Sequence, residues 1–231
     1  MGFRVALLAI PADRADAVFD HYGLQTGRRV PEIPAGEGLE EPLKSMIVSM
    51  GSIATPAIGY DISGDFGVFA VDLKQLKPRQ TVDADTLSLI APVWMLEVHE
   101  NSSASFLSRH YEGKTTCRIE AAFTTGIDIS GDCPFDLDEH KARNEAEALE
   151  LSARSGEIVE AQENYIPQNM FADLTKGVTY ANEFSETMYE VLGALPLKRP
   201  SPQKQETGFS GNANAGTFDA RPPVKPWWKV W

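Results

Sequence analysis

The stretch from residue 93 to residue 123, VWMLEVHENSSASFLSRHYEGKTTCRIEAAF, contains the clearest strand pattern in the chain. Trp94, Leu96 and Val98 alternate with the residues between them, and a period of two is typical of a strand with one buried face. Two further segments, 105–111 and 115–123, flank Glu112, Gly113 and Lys114, a spacing that suits a tight hairpin. We therefore predict a three-stranded antiparallel meander over about residues 93–123.

Before this stretch, the chain predicts a strand, then a helix and a second strand. Residues 3–10 are nearly all apolar, as expected of a strand buried on both faces. The apolar residues of 15–22 follow at helical spacing, and Gly23 is placed to end that helix. The Gly-, Pro- and charge-rich residues 24–42 predict a surface loop, and residues 66–73 predict another strand after an irregular stretch.

After the meander, the pattern predicts a strand from Gly126 and then helices. Asp136 can cap a helix that ends near Gly156, and its apolar residues keep helical spacing, which predicts that they face the core: Ala142, Ala146, Leu149 and Ala153. A second helical pattern begins near Pro167 and resumes after Gly177. The fold class expected is α/β or α+β, with a mixed, largely antiparallel sheet packed by helices.

The composition changes at Pro196 to Pro, Gly, Asn, Ser and Lys, which cannot bury enough apolar surface to offset the entropy of ordering. We predict a compact domain over residues 1–195 and a flexible tail over 196–231. The tail contains three of the four tryptophans: Trp227, Trp228 and Trp231. They are candidate anchors for a protein partner, because Trp is frequent among hot-spot residues, or they fold back on the chain's own domain.

The charge balance limits the partners that we expect. The 33 acidic and 21 basic residues give a net charge of −12, which repels phosphate backbones and anionic lipid headgroups. We therefore expect neither nucleic acid nor a membrane as a partner. A basic protein surface or a cation would be attracted.

The cysteines and the apolar segments indicate where in the cell the protein is expected. The two cysteines, Cys117 and Cys133, lack the spacing of a zinc or redox pair, so we expect reduced, buried thiols. The apolar run 3–10 is too short for a signal peptide, and no segment approaches the roughly 18 apolar residues of a membrane span. The sequence predicts a cytoplasmic protein.

Four side chains form a candidate metal site: Asp128, Asp132, Asp136 and His140. Carboxylate and imidazole groups are ligands of divalent cations, and a metal-dependent hydrolase could use such a cluster. The alternative is a capped helix start, since the helix dipole favours acidic residues in a first turn without any ligand.

Two smaller features have the same two interpretations. The string Gly-x-Asp-Ile-Ser-Gly-Asp occurs at 59–65 and again at 126–132, either as two strand-ending turns with glycine at positive φ or as two carboxylate loops for a cation. His99 and His110 lie on neighbouring predicted strands and could meet as a base or as metal ligands. Solvent-facing histidines are the alternative.

Several local strings resemble a family of uncharacterised bacterial proteins that open with Met-Gly-Phe/Tyr-Arg and an apolar strand. The strings are residues 1–4 with 6–9, EVHENSSA at 97–104, Tyr-Glu-Gly at 111–113, Ile-Ser-Gly at 129–131 with Pro134, and YIPQNMFADLTKG at 165–177. The resemblance implies a compact α/β domain and brings no activity or catalytic residue with it.

The function that these features favour is that of a non-enzymatic acidic binding protein, of the inhibitor or immunity type, that engages a protein partner. A divalent-metal-dependent hydrolase that uses the Asp/His cluster is the alternative. A second alternative is an assembly subunit that docks through its Trp-rich peptide. The sequence leaves the oligomeric state open.

Overall fold

The computed structural model of the chain describes residues 4–29, 58–73, 80–99, 103–122, 126–176 and 188–198. The strands are β1 Arg4–Pro11, β2 Gln25–Arg29, β3 Ile58–Ser63, β4 Phe66–Asp72, β5 Thr81–Val82, β6 Val93–His99, β7 Ala104–Tyr111, β8 Lys114–Ala122, β9 Gly126–Gly131, β10 Tyr189–Leu192 and β11 Leu197–Lys198. The helices are α1 Ala12–Tyr22, α2 Ala84–Leu87, α3 Leu137–Ser155 and α4 Ile166–Leu174, with a 3-10 turn at Glu163–Tyr165.

Nine strands form one sheet in the order β2-β10-β3-β4-β1-β6-β7-β8-β9, and β5 and β11 form a small second sheet. All of these strand pairs are antiparallel. The expectation of a mixed α+β fold with a large antiparallel sheet is therefore confirmed. No helix in the described part of the chain is long and apolar enough to span a membrane.

Strand β1 lies in the middle of the sheet, between β4 and β6. Its alternate side chains enter two separate cores, one containing Val5, Leu7 and Ala9 and the other containing Ala6, Leu8 and Ile10. All six are at most 2 % exposed. The prediction of a strand buried on both faces is confirmed.

The helices cover the two faces of the sheet. Met170 and Phe171 of α4 pack in the core with Leu7, while Val18 of α1 and Leu87 of α2 pack in the core with Leu8. Because α2 and its neighbours cover the second face, Met95 of β6 is only 8 % exposed. Strand β6 is therefore buried on both faces at this point, not on one face as its alternation predicts.

Three segments differ from the sequence prediction. Residues 25–29 and 58–63 form strands β2 and β3 rather than parts of a loop and an irregular stretch, and residues 189–192 form strand β10 rather than a helix. β3 forms a local hairpin with β4, but β10 pairs with β2 and β3, so β2 and β10 depend on pairing between distant parts of the chain. Local propensity does not contain that information.

The element ends agree better with the sequence. Gly23 and Gly156 end α1 and α3 at φ values of 62° and 71°. The Asp83 and Asp136 side chains accept backbone N–H groups at the starts of α2 and α3. Strand β11 lies just after residue 195, where the predicted domain ends, and pairs with β5.

The two cysteines form a disulfide, so the expectation of reduced thiols is wrong. Cys117 lies on β8 and Cys133 follows β9, with 5.0 Å between their Cα atoms. The antiparallel register sets Cys117 opposite Gly131, and Asp132 N donates to Thr116 O at 2.9 Å, so the chain returns beside β8. The sequence separation of 16 gives no indication of this contact, because the pairing of β8 with β9 creates it.

We predict that the Cys117→Ala/Cys133→Ala variant loses about 3 kcal/mol of unfolding free energy, because an open chain gains the entropy that the closed loop of this length lacks. Guanidinium denaturation measures the loss. A reducing agent should destabilise the wild type by a similar amount and leave the double variant unchanged. Equal stabilities of oxidised wild type and variant would contradict the assigned disulfide.

Candidate functional site

The candidate metal ligands lie on separate features. Asp128 is exposed on the edge strand β9, and Asp132 is exposed after it. The Oδ1 atom of Asp136 accepts the N–H groups of Asp138 and Glu139 at 3.0 and 3.2 Å, which is the capping role. Within the described ranges, no group of three or more His, Cys, Asp or Glu side chains is arranged to hold a metal ion.

His140 is buried on the inner side of α3. It is 8 % exposed, and its ring lies edge-on to Phe135 at 5.8 Å. Burial lowers the pKa of His140, and the Arg143 charge lowers it further, against the opposing effect of Asp173. The residue is therefore part of the packing between α3 and α4.

The repeated Gly-x-Asp-Ile-Ser-Gly-Asp strings form two strands that end in turns. The first copy includes most of β3 and Gly64 at φ 58°, and the second includes β9 with Gly131 at φ 83°. Five strands separate β3 from β9 in the sheet. The turn interpretation, with glycine at positive φ, agrees with this geometry, and the two copies do not form one paired loop.

The histidines His99 and His110 lie at opposite ends of the β6–β7 pair. His99 is opposite Ala104, and His110 is opposite Val93. They therefore do not meet, and each belongs to a different polar cluster.

The first cluster joins β1, β5 and β6 around Glu97. Its carboxylate accepts a hydrogen bond from Thr81 Oγ1 at 2.7 Å, and His99 Nε2 and Arg4 Nη2 lie 3.2 and 4.0 Å away. Burial acts to raise the pKa of Glu97, but the hydrogen bonds from His99 and Thr81 and the charges of His99 and Arg4 outweigh it and lower that pKa. The cluster satisfies a charge that would otherwise be costly to bury.

The second cluster connects three side chains in series. Ser108 Oγ lies 2.8 Å from His110 Nε2, and His110 Nδ1 lies 2.7 Å from Asp85 Oδ1. Thr115 Oγ1 and Lys198 Nζ also bind the Asp85 carboxylate, at 3.2 and 3.0 Å. Strand β7, helix α2 and strand β11 are therefore joined through one carboxylate.

Burial and the contacts of Asp85 together determine the charges in this cluster. Desolvation lowers the pKa of His110 although Asp85 acts to raise it. Burial acts to raise the pKa of Asp85, but hydrogen bonds and charges from His110 and Lys198 lower it overall. At neutral pH the neutral imidazole donates from Nδ1 to Asp85 and accepts the Ser108 hydroxyl at Nε2.

The order Ser108–His110–Asp85 is the order of a nucleophile, its base and the orienting acid. The burial of Ser108, which is 7 % exposed, removes the access that a nucleophile needs. The sequence did not indicate the cluster, because Asp85 and Ser108 belong to different elements. The one local signal was the Ser-x-His spacing on a strand, which puts both side chains on one face.

We predict that stability falls as the pH drops below about 6.5, because the unfolded chain then protonates histidine while His110 in the folded chain still resists it. The facing groups are Asp83, Asp85, Thr115 and Lys198. His110→Gln should reduce this loss, measured by urea denaturation at about pH 7.5 and about pH 5.5. His140→Gln is the comparison variant, because burial lowers the pKa of His140 as it lowers that of His110. An undiminished loss in His110→Gln would contradict the assignment.

Helix α3 presents an outward face that the sequence predicted to be inward. Ala142, Ala146, Leu149 and Ala153 are all exposed, and Leu149 is 71 % exposed. The side chains that α3 buries are His140 and Asn144, on the opposite side of the helix. The physical reason is that the segment beneath α3 offers polar groups, such as Gln162 O, which accepts from Asn144 Nδ2 at 3.1 Å.

Acidic side chains border this face, which we call the Leu149 face: Ala142, Ala146, Leu149 and Ala153. At about 100° per residue, Glu139 and Glu150 lie along one border and Asp138 and Glu145 along the other. Glu150 is paired with Arg154. Glu139 and Glu145, in contrast, have no ion-pair partner among the residues that the structure describes. The result is an exposed apolar stripe between two acidic borders.

The candidate anchors Trp227, Trp228 and Trp231 lie outside the described residues. Comparison of the chain with models of protein families, with curated proteins and with solved structures found no match. The resemblance to an uncharacterised bacterial family stays a prediction.

Proposed function

We propose that this chain is a non-enzymatic acidic binding protein, of the inhibitor or immunity type, that engages a basic surface of a protein partner through the Leu149 face of α3. The observation that carries the proposal is the 71 % exposure of Leu149 on a face bordered by Glu139 and Glu145, which have no ion-pair partner in the described ranges. Apolar contact supplies affinity at such a face, while the acidic borders select a basic partner and speed its approach.

The electrostatics of the whole chain support the same choice. A net charge of −12 attracts a basic partner over distances set by the Debye length, about 8 Å at physiological salt. Binding of this kind weakens as the ionic strength rises. The metal-dependent hydrolase gains no support, because the candidate ligands in the described ranges do not converge.

The disulfide bears on where this binding would take place. Structural disulfides are typical of proteins that fold in oxidising environments and are rare in reducing ones. The Cys117–Cys133 bond therefore argues against the cytoplasmic location that the expected thiols supported. We propose a partner that the protein meets in an oxidising compartment.

We predict that the full chain binds a Lys/Leu amphipathic helix peptide of about 18 residues, and that Leu149→Lys weakens this binding by about 1–2 kcal/mol, roughly 5- to 30-fold in Kd. The substituted lysine removes the central apolar contact and repels the basic peptide. Fluorescence anisotropy of labelled peptide measures the affinity.

Leu89→Lys is the matched control for this experiment. Leu89 is 70 % exposed, nearly the same as Leu149, and the substitution changes the charge equally. Leu89 follows α2 on the other side of the sheet, so its substitution should leave the peptide affinity unchanged. Equal weakening by both variants would show a general charge effect and refute the Leu149 face.

A second candidate function, acyl hydrolysis at Ser108, is favoured by the 2.8 and 2.7 Å contacts of the Ser108–His110–Asp85 series. We rank it second because Ser108 is buried. The binding proposal predicts that a fluorophosphonate probe leaves Ser108 unlabelled. Mass spectrometry of the treated chain decides, with Ser108→Ala as the control. Labelling that disappears in this variant would establish the hydrolase instead.

A further inference from the structure

Residues 221–231 differ in charge from the rest of the chain. Residues 221–231, RPPVKPWWKVW, contain three basic residues, no acidic residue and three of the four tryptophans. Tryptophan combines a large apolar area with a polar N–H group, and it is the residue most enriched at interaction hot spots. This segment has the composition of a ligand for an acidic, partly apolar surface.

The charge difference extends over the whole stretch after β11. Residues 199–231 contain five basic and two acidic residues, a net charge of +3, so residues 1–198 carry −15. At moderate ionic strength, segments of opposite charge in one chain attract each other. The +3 segment and the −15 domain are therefore complementary.

The Leu149 face offers both kinds of contact that residues 221–231 need. Its alanines are small, so a flat indole ring can approach the helix backbone beside the Leu149 side chain. Glu139 and Glu145 are available for Lys225 and Lys229, because neither glutamate has an ion-pair partner in the described ranges. Other exposed large apolar residues, such as Ile62 and Leu89, are not on a helix with two acidic borders.

The chain is long enough for the contact. Residues 199–220 link Lys198 to the cationic segment, and 22 residues can span up to about 75 Å when extended. A domain of this size has a radius of gyration of only about 16 Å. The start of the link at β11 therefore does not prevent residues 221–231 from reaching α3.

We propose that residues 221–231 bind the Leu149 face of the same chain, and that a basic partner must displace them to bind. The inference rests on the proposed function, because both use the same face. It assigns the tryptophans a regulatory role: they cover the docking surface in the free protein and reduce its apparent affinity for a partner.

Acrylamide quenching of tryptophan fluorescence in the full chain tests the proposal without any partner. Trp94 is only 7 % exposed, so changes in quenching report mainly on the other three tryptophans. We expect these to be shielded in the wild type. Leu149→Lys should raise the Stern–Volmer constant and shift the emission to longer wavelength, whereas Leu89→Lys should leave both unchanged.

A second variant changes only the cationic segment. Arg221→Glu/Lys225→Glu/Lys229→Glu leaves the domain unaltered and should raise the quenching constant as Leu149→Lys does. Unchanged quenching in both variants would overturn self-docking. So would an equal effect of Leu89→Lys, and shielding that depends on protein concentration would assign the contact to a second copy instead.

The two proposals can fail separately. Quenching involves no partner, so a negative result removes self-docking while the Lys/Leu peptide still tests the Leu149 face. Conversely, shielding that Leu149→Lys abolishes would establish self-docking even where the peptide does not bind. If both hold, the triple Glu variant should bind the Lys/Leu peptide more tightly than the wild type, because its face is no longer covered.

Discussion

The burial of β1 on both faces is the constraint on which the rest of the structure depends. The strand pairs with β4 on one side and β6 on the other, and its side chains alternate between two cores. Since each core needs a helical layer to cover it, α1 and α2 pack on one face and α4 on the other. Helix α3 lies beyond α4 and the 3-10 turn, makes mostly polar contacts, and so can leave an apolar face exposed.

The elements that the sequence predicted well are those defined by local patterns. The apolar run of β1, the hairpin turn at Glu112 and Gly113, and the cap at Asp136 each depend on a few adjacent residues. Strand β3 pairs locally with β4 and was missed, whereas strands β2 and β10 could not be predicted in this way, because they pair with each other from distant parts of the chain. The disulfide has the same origin, since the β8–β9 register brings Cys117 close to Cys133.

The candidate site shows the same division between local and distant information. The spacing of Ala142, Ala146, Leu149 and Ala153 correctly predicted a common face of α3, but the pattern does not tell which face meets the core. The buried side decided it, because Gln162 O in the segment below α3 accepts from Asn144 and the ring of His140 packs against Phe135. An apolar helical stripe that the fold leaves outside is then available for a partner, and its acidic borders define the partner's charge.

The most direct test of the Leu149 face is to locate bound peptide on the full chain by NMR. Amide chemical shifts of the isotope-labelled protein are recorded while the Lys/Leu peptide is added. The account predicts that the largest changes follow α3 from Asp138 to Ala153, with little change on β9 or around Leu89. Changes centred on the β9 edge, or spread evenly over the acidic surface, would contradict it.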